Sequence, residues 1–428
     1  MQKVLIVTYY WPPAGGPGVQ RWLYFASYLR EFGIEPVIYT PQNPNYPLRD
    51  DSLGQQLPEG IKVYRQKIWE PYRFARLLSR SGTKRISSGI INREKPGLIE
   101  RLMLWVRGNV FIPDARKFWI KPSVRFLSGV IEKEGISTVI TTGPPHSMHL
   151  IGLQLKGLQK IRWIADFRDP WTSIGYHSAL MLNRRTIGKH RQMEADVLKG
   201  ADAIITTSSQ TMREFKARTT RPIHVITNGY SVELNTTVQP KGPFTISHIG
   251  SLLSGRNPFS LWNALRNLSD AIPEFKRDLK IELIGPVSPE VLQSIHEQGL
   301  TRQLSVNGYI PHDQALEHQR TAQVLLLIEI DTPETRGIIP GKFFEYLAAS
   351  RPILAIGPDN WEVASLIAES KSGVAFRYGE QAGIQQILQT WSEDYKQHNL
   401  TVEAVGVEAY HRRALTGRLV KEVLWESY

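Results

Sequence analysis

The stretch "GIIPGKFFEYLAASRPILAIGP", Gly337 to Pro358, sets Lys342 and Glu345 three residues apart near the start of an apolar helix. A helix N-terminus gathers unpaired N–H groups and partial positive charge, so a phosphate fits there. Pro340 suits a first turn that needs no donor, and Gly341 lets a ligand approach the backbone closely. Lys342 adds a full cation at that spot. Glu345 lies about one turn deeper on the same face, and its carboxylate can accept the two hydrogen bonds that vicinal ribose hydroxyls offer. Phosphate followed by ribose describes a nucleotide. A surface Lys–Glu pair worth about 0.2–0.5 kcal/mol would use the same spacing. Phe343, Phe344, Tyr346, Leu347 and the following "RPILAIG" run make this helix part of a buried layer instead.

Other residues extend the chemistry. In "HIGSLLSGRNP", His248 to Pro258, a strand ends in a Ser/Gly loop with Arg256 just ahead of the next helix. A guanidinium there suits bidentate phosphate binding, and a diphosphate wants two cations. "YYWPPAGGPGVQR" places Gly15, Gly16 and Gly18 between a strand and a helix. It has neither G-x-G-x-x-G nor the lysine of a P-loop, so it supports only close backbone approach to a sugar or phosphate. A plain strand-to-helix turn is the competing reading. "TTGPPHSMHL" puts His146 after another strand, where it can hold or exchange a proton near neutral pH, while His149 falls on the helix that follows and reads as structural. "WIADFRDPW" brings Asp166, Arg168 and Asp169 to a strand end, where the carboxylates can orient sugar hydroxyls. No spacing gathers His and carboxylates as a metal site would, and none of the 428 residues is Cys, which removes disulfides, thiolate catalysis and Cys-based clusters. No cofactor is expected.

These residues need elements to position them. Lys3–Thr8 reads as a strand, a Pro/Gly loop follows, and an amphipathic helix runs from Val19 to Phe32 and stops at Gly33. Further strands are expected at Glu35–Tyr39, Ser137–Thr142, Arg162–Asp166 and Ala203–Thr207, each after a helical stretch. A second series runs through Phe244–Ile249, Lys280–Ile284, Leu304–Val306, Val324–Ile328, Ile353–Ala355 and Gly373–Ala375. Such alternation predicts α/β architecture: two doubly wound, Rossmann-like domains that bind ligands beyond the carboxyl ends of their strands, facing one another across a cleft. The polar stretch "NTTVQPKG" (Asn235–Gly242) reads as the junction, giving domains at 1–235 and 236–401, with helix from 402 to 428.

The charge is +12, and its excess is concentrated. Between Tyr72 and Leu127 thirteen Lys or Arg stand against three acids, interleaved with Tyr72, Phe74, Trp105, Phe111, Phe118 and Trp119. Basic and aromatic residues together suit an anionic membrane surface. A solvated basic helix pair packed on its domain is the plainer account, and nucleic acid is served by similar composition but is not the expected partner. No apolar run approaches the ~18 residues of a membrane span, and the N-terminal apolar run is too short for a signal peptide. The expectation is a cytoplasmic protein, peripheral on the inner face of the cell membrane.

Taken together, "GPPHS", "DFRDPW", "ITNGY", "GSLLSGRNP" and "PGKFFEYLAASRPILA" make nearly the whole chain resemble the retaining glycosyltransferases of the GT-B fold, family 4, the group 1 type. The resemblance implies that the second domain binds a nucleotide sugar of UDP or GDP type. Residues matching Arg256 and Lys342 would hold the diphosphate, and that matching Glu345 the ribose. The loop Gly308–Pro311, with Tyr309 and Ile310, would lie by the base. Gly15, Gly16 and His146 would face the reacting sugar, and the C-terminal helix would cross back to the first domain. Two positions depart from the family pattern. The paired-glutamate motif needs an acid where Gly337 stands, and Asn257 and Pro258 follow Arg256 where a lysine is common. The implied acceptor is a saccharide or a polyprenyl-diphosphate-linked saccharide, in surface polysaccharide or glycolipid synthesis, with no metal required. A nucleotide-sugar epimerase of the same fold, a non-catalytic scaffold and a nucleic-acid-binding protein are the alternatives.

Overall fold

The computed structural model describes residues 1–57, 59–70, 98–175, 180–232 and 242–425. The chain divides into two compact units: Met1–Asn228 with Arg412–Tyr428, and Gly229–His411. The sequence reading placed these boundaries at 235/236 and 401/402. The structure moves them because the segments around 230 and 410 belong to the second unit's core: the Tyr230 N–H donates to the Tyr410 carbonyl (3.2 Å), and Tyr230 and Val407 are buried. The expected junction falls almost wholly outside the described residues.

The first unit holds a seven-stranded parallel sheet: β1 (Gln2–Val7), β2 (Ile34–Pro41), β3 (Lys62–Gln66), β4 (Thr138–Gly143), β5 (Arg162–Phe167), β6 (Ala203–Thr206) and β7 (Ile223–Val225). Their order is β3-β2-β1-β4-β5-β6-β7. Period-2 alternation divides each strand between two cores. Val4 and Ile6 pack with Trp22, Phe25 and the C-terminal Leu415 and Leu419, whereas Leu5 and Val7 pack with Trp119, Val124 and Leu127. The helix Pro17–Leu29 starts from Gly16 at φ 91° with Pro17 inside its first turn, and the chain turns out of the 3-10 turn that follows it at Gly33, φ 75°. The stop at Gly33 was expected, whereas the helix starts at Pro17, two residues before the expected Val19.

The second unit carries β8 (Phe244–Ile249), β9 (Leu279–Ile284), β10 (Leu304–Asn307), β11 (Val324–Ile328), β12 (Ile353–Gly357) and β13 (Gly373–Arg377), ordered β10-β9-β8-β11-β12-β13 and all parallel. Val324, Leu326 and Ile328 face one core and Leu325 and Leu327 the other, where Phe343, Phe344 and Leu347 of the helix Gly341–Ala349 meet them.

Two expectations are narrowed. Helix over 402–428 reduces to Arg412–Leu419 and a short π turn, Val420–Leu424, in the first unit; the residues before Arg412 are irregular or 3-10 and lie in the second. The basic aromatic segment 72–127 lies outside the described residues up to 97, and its far end is core rather than insertion. Trp119 is buried and stacks on Tyr39 with ring centroids 4.8 Å apart, because the helix Ile120–Glu134 buries Val124 and Leu127 against the sheet. Within it Leu102, Trp105, Val110 and Phe118 remain exposed. Among the described residues no helix is long and apolar enough to cross a membrane.

Candidate functional site

In each sheet the strand order reverses once, at β1/β4 and at β8/β11. Helices on either side of such a point diverge and leave the strand ends accessible, which is where open α/β sheets hold ligands. Gly15, Gly16 and His146 follow β1 and β4 in the first unit, and Arg256 and Lys342 follow β8 and β11 in the second, whereas Asp166, Arg168 and Asp169 lie at the end of β5, and Tyr309 and Ile310 after the edge strand β10.

In the second unit β8 ends at Ile249 and the chain turns at Gly250, φ 126°. The φ of Gly250 favours glycine, and a Cβ there would lie 2.7 Å from Lys342 Nζ and displace the end of that side chain. Lys342 donates from Nζ to His248 Nε2 at 3.3 Å. The His248 ring is buried and donates from Nδ1 to the Leu326 carbonyl at 2.9 Å, leaving Nε2 as the acceptor. Burial and then the neighbouring Lys342 hold this imidazole well below its ordinary pKa, so it is neutral. Lys342 itself is brought down to about 7, first by burial and then by Arg256, with Glu329 and Glu345 acting the other way. Among the described residues no carboxylate pairs with it.

Arg256 is held differently. Its Nε and one terminal nitrogen reach Glu329 Oε1 at 3.1 and 2.8 Å, and that oxygen also accepts the Ile330 N–H at 2.8 Å. Glu329 stands directly after β11, with its side chain 1% exposed. Tyr378 donates its hydroxyl to the Glu329 carbonyl at 2.8 Å. Glu345 is occupied on both oxygens, by His312 Nε2 at 3.0 Å and Gln319 Nε2 at 3.0 Å. A ribose reaching this carboxylate must exchange with them. Pro340 and Gly341 open the helix, with no side chain capping it. Tyr309 is exposed and Ile310 packs on the core beneath it. One end of this sheet thus assembles two cations, a helix N-terminus and a carboxylate a turn away.

In the first unit the Gly loop and the 143–146 loop are tied together by Arg168. Its guanidinium donates to the carbonyls of Gly18 (2.8 Å), Gly143 (3.3 Å) and Pro144. A Cβ on Gly18 would lie 2.5 Å from that guanidinium, which would have to shift to admit it. Gly15 donates its N–H to Leu48, and Gly16 caps the helix. His146 is buried and lies flat on Trp171, ring centroids 4.7 Å apart at 3°. His149 is structural: its Nδ1 meets Thr141 Oγ1 at 3.0 Å and burial lowers its pKa to about 3.

Asp166 departs from the sequence reading. Its carboxylate is fully buried, pairs with Arg21 at 2.8 Å and accepts from Trp22 (2.7 Å) and Thr142 (2.8 Å). Burial alone would raise its pKa, but Arg21 and the hydrogen bonds hold it below the usual range. This carboxylate binds β5 to β4 and to the helix Pro17–Leu29, with no edge left for a sugar. Asp169 is the opposite case. It is half-buried, has no hydrogen-bond or ion-pair partner among the described residues, and burial pushes its pKa up despite Arg168. Among the described residues no three His, Asp or Glu gather to hold a metal.

Sequence reasoning missed His248 and Glu329. Each carried a signal: a histidine inside the apolar strand "FTISHI", and an acid closing "VLLLIE". Polar groups in such runs are buried and need partners.

Comparison with known proteins follows the same lines. Anabaena HepE in complex with UDP superposes with a TM-score of 0.64 at 12% identity, covering 99% of this chain and 100% of that one. Sucrose-phosphate synthase from Thermosynechococcus elongatus gives 0.60 at 15%, covering 100% of both chains. TarM gives 0.63 at 10%, covering 98% of each. These likenesses establish the two-domain GT-B architecture. No curated protein matches the chain. Residues 15–229 match the model of the glycosyl transferase 4-like domain, just over half of the chain, and the protein belongs to that family.

Proposed function

We propose that the protein transfers a sugar, with retention of configuration, from a nucleotide-diphosphate sugar of UDP or GDP type to a saccharide or lipid-linked acceptor at a membrane. The observation that carries this reading is the meeting of Lys342 and Arg256 beside His248 at the switch point of the second sheet, with Glu345 a turn beyond. The diphosphate sits against the helix N-terminus and the two cations, and Glu345 takes the ribose by exchange with His312. Tyr309 and Ile310 flank the base.

Charge builds on the diphosphate as the glycosidic bond breaks. Preorganised cations aimed at that charge lower the barrier because they need no reorganisation. Arg256 is fixed by Glu329 and Lys342 by His248, so both are oriented before the donor arrives. They supply the role a metal takes elsewhere, which makes the transfer metal-independent. In the first unit His146, Arg168, Gly15 and Gly16 shape the sugar side, and Asp169, a carboxylate without a hydrogen-bond or ion-pair partner among the described residues, orients an acceptor hydroxyl. The exposed Leu102, Trp105 and Phe118, close in sequence to the exposed Arg101 and Lys121, form a basic and apolar face suited to the anionic membrane that carries a lipid-linked acceptor. The HepE complex with UDP and glucose supports the choice of UDP as first probe.

Calorimetry with UDP, GDP, ADP and TDP tests the reading, repeated on Lys342→Ala and Glu345→Ala. One nucleotide is expected to bind and to weaken in both variants. No binding by any of them overturns the donor assignment.

A further inference from the structure

A lysine side chain is long and rotationally free, and holding it in one place costs entropy that some contact must offset. Lysines are usually held by carboxylates, which also cancel their charge. Lys342 is held by an imidazole. His248 cannot turn, because it is buried within β8 and its Nδ1–H is committed to the Leu326 carbonyl on the adjacent strand β11. The Ser251 backbone also reaches this ring, and a protonated Lys342, which carries only donors, meets Nε2 as an acceptor. Gly250 clears the path the lysine takes, and Gly285, φ 114°, in turn lies against the Gly250 carbonyl, where a Cβ would come within 2.7 Å.

Resting on the donor-site reading above, we propose that His248 is a positioning residue for the diphosphate. A neutral imidazole of fixed tautomer orients Lys342 while leaving its charge for the ligand. The contrast with Arg256 carries the inference, since that cation is both oriented and neutralised by Glu329. Lys342 is then the cation that meets the incoming anion without a direct carboxylate partner among the described residues. The charged groups facing it are Arg256, Glu329 and Glu345, with the titratable His248 against it and His312 behind Glu345, and its lowered proton affinity brings its own titration near neutrality. UDP should therefore bind less tightly as pH rises through about 7. Hydrogen bonding to His248 favours the charged lysine, so loss of the imidazole moves that midpoint to lower pH.

The test is UDP calorimetry on His248→Phe, His248→Gln, Lys342→Ala and the double variant, with the pH profile of each single histidine variant. Phe removes the acceptor, whereas Gln places an amide oxygen near the Nε2 position. His248→Phe should weaken UDP about ten-fold and lower the pH midpoint, His248→Gln should restore affinity to within about two-fold, and His248→Phe should add nothing in the Lys342→Ala background. Additive losses in the double variant, or unchanged affinity and midpoint in His248→Phe, overturn the inference. If His248→Phe does not fold, His248→Gln decides through affinity and midpoint together, which must both stay near wild type. A Lys342→Ala variant that binds UDP normally would defeat the donor-site reading itself and is thereby told apart.

Discussion

Asp166→Asn separates two roles for one carboxylate. The side chain is fully buried, shares a 2.8 Å ion pair with Arg21, itself 1% exposed, and accepts from Trp22 and Thr142. Asparagine keeps the shape but removes the charge. Whichever way the amide turns, its NH2 meets a donor: Arg21 on one side, or Trp22 and Thr142 on the other. Removing one partner of a buried ion pair leaves an uncompensated charge and costs about 3–5 kcal/mol. For a unit of this size about 2–4 °C is lost per kcal/mol, so the first unit should melt about 6–20 °C lower. The pH dependence has a definite sign. A carboxylate held below its ordinary pKa of about 3.9 contributes stability that is present above that value and disappears as pH falls through the folded-state pKa. Wild type should thus lose this contribution only below about pH 4, and Asp166→Asn should lack it throughout. The assay is thermal unfolding by circular dichroism at pH 7 and pH 3.5. A variant that melts with wild type yet loses sugar transfer would refute the argument and return Asp166 to the substrate.

Further expectations follow from other sites. Gly250→Ala places a methyl group against Lys342 Nζ at a φ that favours glycine, and should weaken UDP about ten-fold while costing about 1 kcal/mol of stability, read by calorimetry and urea unfolding. Glu345→Ala should weaken UDP more than inorganic pyrophosphate, since the ribose contact is lost while the diphosphate feels only the changed field on Lys342. Asp169→Asn should leave UDP affinity unchanged and lower the transfer rate at saturating donor, measured by initial rates against acceptor. Leu102→Asp with Trp105→Asp should reduce pelleting with anionic liposomes without changing UDP affinity.

Most of the sheet framework was legible because its strands are apolar runs. "KVLIV", "TVITTG" and "VLLLI" are buried on both faces and leave little choice of structure. The edge strands β3 and β7 were not. "KVYRQ" alternates polar and apolar residues with its side chains half-exposed, and "IHV" is three residues long after Pro222, so neither carries a pattern separable from loop. The placing of Lys342 and Glu345 on a helix with a buried face was legible, and both fall on the helix Gly341–Ala349. The partners of Lys342 and Arg256 were not, because His248 and Glu329 reach them from strands 94 and 73 residues away in sequence. Asp166 was misjudged for the same reason, since Arg21 pairs with it across 145 residues.

The second unit begins and ends at one place. Tyr230 and His411 bridge, and the backbones of Tyr230 and Tyr410 are hydrogen-bonded. The chain of the first unit is interrupted once, and the 229–411 segment is a closed insertion whose two ends already touch. Domains with adjoining ends tolerate excision and permutation well. A gene for 229–411 alone would therefore encode a cassette with its own two cores, carrying Arg256, Lys342 and Glu345 together. Such a cassette can be exchanged between chains without rethreading either sheet.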